Sequence, residues 1–283
     1  MHKKPSKKNF KKKSTSYPKK TGAKLIPAYD VEKIKAVEKK VDGEKSGLAE
    51  GIRLNKYIAN SGVCSRREAD KLIADGKVKV NKKIVTEMGY KVQAADTVFF
   101  EGKTIQREKL VYVLLNKPKG FITTMDDPKD RKTVMELVKK ACEERIYPVG
   151  RLDRNTTGLL LFTNDGELAK KLTHPSHKVR KIYQVQLDKP LTEKDFLALE
   201  NGLELEDGKA VVEKIAIVTP DALKIGLEIT IGRNRIVRRL FEHLGYEVVK
   251  LDRTVFAGLT KKDLPRGKWK YLSEKEVIRL KHF

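Results

Sequence analysis

Between Gly158 and the tripeptide Asn164-Asp165-Gly166 lies an unbroken apolar run, Leu159-Leu160-Leu161-Phe162. A run this short, with no alternation and with turn residues at both ends, fits a strand covered on both faces. Such a strand needs packed layers above and below it. A chain of 283 residues can supply them, either in one large domain or in two smaller ones. Just upstream, Gly150-Arg151-Leu152-Asp153-Arg154 isolates one aspartate between two arginines, in the connection that enters the strand. Loops in that position present reactive groups on a rigid support. Asp153 could carry chemistry there, or it could cap a turn or pair with Arg151 or Arg154 on the surface. Asp165 reads as part of a turn and helix start leading into Glu167–Leu172.

The net charge of +24 matters through its distribution. Residues 1–50 hold 15 Lys against 6 acidic residues, and residues 51–109 hold 13 basic against 7. The remainder holds 34 against 25, so the part expected to fold is basic as well. A polyanion, nucleic acid before anything else, is the partner such a balance favours. No segment approaches the roughly 18 apolar residues of a spanning helix, and the first residues lack an apolar signal core, which argues against a membrane partner. Cys64 and Cys142 lie far apart with no CxxC pair, pointing to a reducing cytosol and away from structural zinc. His174 and His177 sit around Pro175, which breaks the helix a metal-binding pair would need, so they read as loop residues.

Residues 1–24 carry ten lysines and no acid, and are expected to be a disordered basic arm; residues 25–50 continue as a mixed-charge linker. A fold begins near Ile52, where Leu54, Tyr57 and Ile58 have helical spacing. Ser65 and Glu68 form a capping box for a second helix, with Ala69, Leu72 and Ile73 as its apolar stripe and Gly76 as its end. Two short strands around Val78–Val80 and Ile84–Val85 are joined at Asn81-Lys82. From about residue 110 a larger unit follows, with Val111–Leu115 as a strand that NKPKG (116–120) ends in turn residues. Lys181–Leu187 places Tyr183, Val185 and Leu187 on one face, and Leu227–Ile231 alternates. Val237, Leu240, Phe241 and Leu244 form the stripe of a later helix, with Arg238 beside it at the margin of a core. Strands mixed with a few helices give an α+β class. Asp126, Asp127 and Asp130 read as a polar turn-rich loop, so no second acid is evident for a hydrolase with paired carboxylates.

The stretch from Arg53 to Val85, RLNKYIANSGVCSRREADKLIADGKVKVNKKIV, resembles the alpha-L RNA-binding domain named after a small-subunit ribosomal protein, over about residues 51–98. That resemblance implies that Arg66, Arg67 and Lys71 face RNA phosphates. The ordered set NKPKG, YPVGRLDRNTTGLLLFTNDG, KIY and GRNRIVRRLFEHLGYEV resembles the pseudouridine synthases of the RsuA and RluB/RluF-like branch, which modify ribosomal RNA. The implied organisation is an arm and linker over 1–50, the alpha-L domain over 51–109, and a catalytic domain over 110–283. The implied catalytic fold is a mixed, mainly antiparallel sheet. Carried over by motif, Asp153 is the catalytic aspartate, Tyr183 the residue that packs on the target base, and Arg238 the basic partner of the aspartate. Arg151 helps fill the space the target nucleotide leaves. Thr157, Gly158, Asn116, Lys117 and Gly120 shape the pocket, and Arg233, Asn234, Arg235 and Arg239 make RNA contacts or salt bridges and are not catalysts. The implied reaction isomerises a uridine in ribosomal RNA, most readily large-subunit RNA, with no metal, redox or nucleotide cofactor, in the cytoplasm. It needs no obligate protein partner. The rivals are a non-catalytic ribosome-associated RNA-binding protein and a small-subunit target.

Overall fold

A computed structural model describes residues 51–282 together with Pro27, Tyr29, Asp30, Glu32 and Lys33. The first unit opens with β1 (Ile52–Arg53), α1 (Leu54–Asn60) and α2 (Arg66–Ala74). The capping box forms as read: Ser65 Oγ accepts from the Glu68 amide at 3.2 Å, and the Glu68 carboxylate accepts from the Ser65 amide at 3.5 Å. Helix α2 stops where Gly76 turns left-handed, at φ +69°. Strands β2 (Val78–Val80), β3 (Lys83–Ile84), β5 (Val98–Phe100) and β6 (Lys103–Ile105) pair in the order β3-β2-β5-β6, while β4 (Lys91–Val92) pairs with β1. Leu54, Ile58, Ala69, Ile73, Val78, Val80 and Val98 fill the small core between helices and sheet. Arg66, Arg67 and Lys71 lie exposed on α2, on the side away from that core.

The larger unit is built on a nine-stranded sheet. Its elements, in chain order, are β7 (Tyr112–Lys117), α3 (Val134–Val138), β8 (Tyr147–Pro148), β9 (Thr157–Thr163), α4 (Gly166–Thr173), β10 (Lys181–Leu187) and α5 (Glu193–Asn201). The β11–β12 hairpin (Leu203–Leu205, Gly208–Ala210), β13 (Lys214–Ile217), β14 (Lys224–Ile229), α6 (Ile236–His243) and β15 (Val248–Phe256) come next. Last are β16 (Leu259–Thr260), β17 (Trp269–Tyr271) and α7 (Glu274–Lys281). The main path runs β13-β14-β10-β15-β9-β7-β17, and every pairing in the sheet is antiparallel except β15 with β9.

The apolar run is the centre of this architecture. Leu159 and Leu161 enter one core with Tyr112, Leu168, Leu172 and Leu280, whereas Leu160 and Phe162 enter the other with Val113, Val185, Leu240 and Phe241. All four are fully buried, each contributing about 1.5–3 kcal/mol by transfer from water. Asp165 does more than turn the chain: it caps α4 by accepting from the Leu168 amide, and it is buried against Lys281 Nζ (2.7 Å) and the Tyr112 hydroxyl (2.8 Å).

Glu108 ties the two units together. Its amide donates to Asn60 O at the end of α1, and its carboxylate accepts from the Arg145 amide and from Asn164 Nδ2. Lys56 pairs with Glu167 across the same junction. Part of the expected linker is also docked: the Tyr29 ring meets Tyr112 edge-on at 5.1 Å, its hydroxyl donates to Leu272 O, and Lys33 pairs with Glu274. The basic arm over 1–24 lies outside the described residues.

Candidate active site

The loop after β8, the start of β10 and the approach to α6 meet over β15 and enclose a cavity of about 660 Å³. Asp153 lines it, carried on the loop between Val149 and Thr156. Its backbone is held from beneath. Lys117, at the end of β7 and fully buried, places its ammonium within 3.2 Å of four carbonyl oxygens, those of Pro118, Asp153, Arg154 and Thr156. NKPKG therefore does not open as a turn at Asn116: both Asn116 and Lys117 complete β7, and the turn begins at Pro118. Asn116 Nδ2 donates to Leu264 O, and its Oδ1 accepts from Arg266. Gly120, at φ +89°, donates its amide to Arg154 O and closes the same loop.

Burial lowers the Lys117 ammonium to about 8, against the opposing pull of the Asp153 carboxylate and with help from Arg266. Between pH 8 and the ordinary value of 10.5 the unfolded chain binds more protons at this site, so folding gains stability as pH rises. Relative to Lys117→Met, the unfolding free energy of the parent should grow across that window in urea titrations. A difference that stays flat from pH 8 to pH 10 would contradict the burial argument.

Facing Asp153 is Arg238 on α6. Its Nε lies 3.8 Å from Asp153 Oδ2, and its Nη1 is fixed by Val248 O at 2.8 Å. The guanidinium is largely buried, as the helical stripe of Val237, Leu240 and Phe241 beside it requires. Tyr183 is 8 % exposed, the exposed part bordering the cavity and the rest packed into the core. Arg151, exposed, and Asn234 also line the cavity. Arg233 lines it too, but its guanidinium is tied to Asp207 and to the carbonyls of Gly208 and Lys209, which makes it an anchor for the β11–β12 hairpin. Lys178 and Arg235 stand at the rim in left-handed backbone conformations, φ +44° and +45°.

None of the five residues read as pocket-shaping, Asn116, Lys117, Gly120, Thr157 and Gly158, lines the cavity. Thr157 Oγ1 donates to Asp252 Oδ1 at 2.6 Å, and Asp252 is also paired with Lys261 and Arg266; this polar knot lies among β9, β15 and the loop before β17. Gly158 faces the backbone of Arg253, which a Cβ would meet at 2.2 Å. Three basic lining residues are not evident from the sequence pattern, Lys178, Lys181 and Arg253. Lys181 lies two residues before Tyr183 on an alternating strand, a signal that extending the Tyr183, Val185, Leu187 face backward would have caught. Among the described residues lining the cavity, Asp153 is the only carboxylate.

A family model described as RNA pseudouridylate synthase matches residues 111–243, and one for the S4 domain matches residues 52–98. The ribosomal large subunit pseudouridine synthase B of Bacillus subtilis (strain 168) is 47 % identical over 234 residues, covering 81 % of this chain and 95 % of that one. The chain belongs to the RNA pseudouridine synthase family. The dual-specificity RNA pseudouridine synthase RluF of Escherichia coli (strain K12) is 38 % identical over 232 residues, covering 81 % of this pseudouridine synthase and 78 % of RluF. A solved structure described as a pseudouridylate synthase superposes with a TM-score of 0.57 at 30 % identity, over 81 % of this chain and all of that one. Among the described residues no helix of this synthase is long and apolar enough to cross a membrane. No group of three or more His, Cys, Asp or Glu side chains among them is placed to hold a metal ion.

Proposed function

We propose that this protein converts a uridine of large-subunit ribosomal RNA to pseudouridine in the cytoplasm, with Asp153 as its catalytic carboxylate. The observation that carries the reading is Asp153, which lines the cavity together with Tyr183, is the only carboxylate among the described lining residues, and faces Arg238 at 3.8 Å. A single acid facing a buried guanidinium suits a reaction that needs one ionised carboxylate, and leaves no partner acid for hydrolysis. The large subunit is taken from the Bacillus relative, whose name assigns it that RNA.

The chemistry follows from the arrangement. A base in a stack is out of reach, so the target nucleotide must be turned out, at a cost of a few kcal/mol. Tyr183 offers a ring for the extruded uracil to pack on, and Arg151, with Lys178 and Arg235 at the rim, offers charge to the neighbouring phosphates. Arg238 sets its guanidinium 3.8 Å from the Asp153 carboxylate and orients it. Arg66, Arg67 and Lys71 would grip RNA on the S4 unit, at a distance from the cavity fixed by the Glu108 junction.

The deciding experiment incubates the protein with unmodified ribosomal RNA and maps pseudouridine by chemical labelling. One new site in large-subunit RNA is the expected result. A site in small-subunit RNA would move the target, cleaved RNA would favour a hydrolase, and unchanged RNA a binding protein. The basic arm makes a separate prediction. Deleting residues 1–24 removes ten lysines, so the slope of log affinity against log salt should become shallower by several units, with turnover at saturating RNA retained. An unchanged slope would show that the arm does not touch phosphates.

A further inference from the structure

Two enclosed cations in the cavity wall, Arg253 and Lys181, have no counter-charge among the described residues. Arg253, on β15, is 3 % exposed; its Nε donates to Leu159 O at 2.8 Å and its guanidinium lies 4.4 Å over the Phe256 ring. Its Nη2 is sealed from solvent and has no hydrogen-bond partner among the described residues. Lys181, half-buried on β10, spends its ammonium on two carbonyls, Val179 O (2.9 Å) and Thr230 O (2.7 Å). Burial and the neighbouring Arg253 lower it to about 8. The one carboxylate among the described residues of the cavity wall, Asp153, is already matched with Arg238. Burying an unpaired cation is costly, and a packing strut over Phe256 could be built from a neutral side chain at no such cost.

Both cations flank Tyr183. Lys181 lies two residues before it on the same strand, and Arg253 is its direct partner across the β10–β15 ladder. Arg253 is too enclosed to grip a phosphate, a task suited to the exposed Arg151 and Arg235. A sealed charge acts through a low dielectric on whatever occupies the space beside it.

Taking the proposed reaction as given, we propose that Arg253, seconded by Lys181, stabilises the negative charge of the uracil ring while the ring is detached from its sugar. The C1′–N1 bond breaks and its electron pair stays with the ring, spread over N1, O2 and O4. After the ring turns, C5 supplies the pair for the new C1′–C5 bond. The C5 proton passes to the Asp153 carboxylate and on to water, and N1 takes a proton from water, so product and substrate have the same atoms and charge. The protein gives the two cations no counter-charge because that charge forms on the ring during the reaction.

The test uses the full-length protein, Arg253→Met and Arg253→Lys, with target RNA carrying uridine or 6-azauridine at the modified position. The aza ring is a weaker base as an anion and keeps its C5 hydrogen. Single-turnover rates on uridine should fall 100-fold or more in Arg253→Met, with RNA affinity within about threefold of the parent. On 6-azauridine the loss should stay below about tenfold, because the ring holds its own charge, and Arg253→Lys should recover part of both rates. The urea midpoint of Arg253→Met should not fall below that of the parent, since an unpaired buried charge has been removed. Equal losses on both rings, or a lowered midpoint with a parental rate, would overturn the role. Should Arg253→Met fail to fold, the same ring dependence in Arg253→Lys decides the matter. A parent that makes no pseudouridine refutes the proposed function; an active parent matched by Arg253→Met refutes only the charge role.

Discussion

Asp153→Asn should abolish pseudouridine formation, by at least about 10³-fold in single-turnover rate, while RNA affinity stays within a few-fold of the parent. The substitution keeps the shape of the side chain and removes only its charge and its ability to bond or accept a proton. Asp153 is held through backbone carbonyls by Lys117, so the loop should persist when the carboxylate becomes an amide. On the proposed reading affinity comes from elsewhere, from the exposed basic residues of the S4 helix and the cavity rim, so it should survive the substitution. Measuring turnover and binding on the same RNA separates the two. A variant with parental turnover would remove Asp153 from the chemistry, and one that lost binding and turnover together would make it an RNA contact.

The fold was legible where the signal was local. The apolar run, the capping box at Ser65 and Glu68, and the alternation of Tyr183, Val185 and Leu187 depend on residues a few positions apart, and each formed as the pattern required. The pairing of Asp153 with Arg238 could not be read this way, because 85 positions separate them, and it entered through family resemblance. The errors share a cause. Asn116 and Lys117 look like turn residues, yet they are buried in β7 because their polar atoms are satisfied by Leu264, Arg266 and the carbonyls of the Asp153 loop. Arg253 and Lys181 give no local signal of burial, because a basic residue in a strand reads as solvent-facing until the sheet order shows β15 at its centre. Sequence pattern reports which residues want to leave water; it does not report which polar residues have partners waiting inside.

Gly158 shows that difference at one position, and its substitution should have the largest effect on stability. The resemblance gave it a part in shaping the pocket, but the structure puts it where β9 and β15, the sheet's single parallel pair, touch backbone to backbone. An alanine there would place its Cβ 2.2 Å from Arg253 O and 2.5 Å from Arg253 N, neither of which can swing aside as a side chain could. It would also have to hold φ +106°, a conformation L residues rarely adopt. The strain and the overlap together are worth about 3–5 kcal/mol, enough to separate the strands at their Thr157–Asp252 and Gly158–Arg253 pairings. Gly120→Ala is the matched control: Gly120 also has a positive φ, of +89°, but a Cβ there meets nothing within 4 Å. Its cost should be about 1 kcal/mol, the backbone conformation alone. Urea midpoints for the pair isolate the contact term, and a Gly158→Ala protein no less stable than Gly120→Ala would mean that the strands do not approach this closely. Because Arg253 also borders the cavity next to Tyr183, the same separation should lower turnover on uridine. In Gly120→Ala, where the strands are untouched, turnover should fall less than stability arguments at Gly158 would predict.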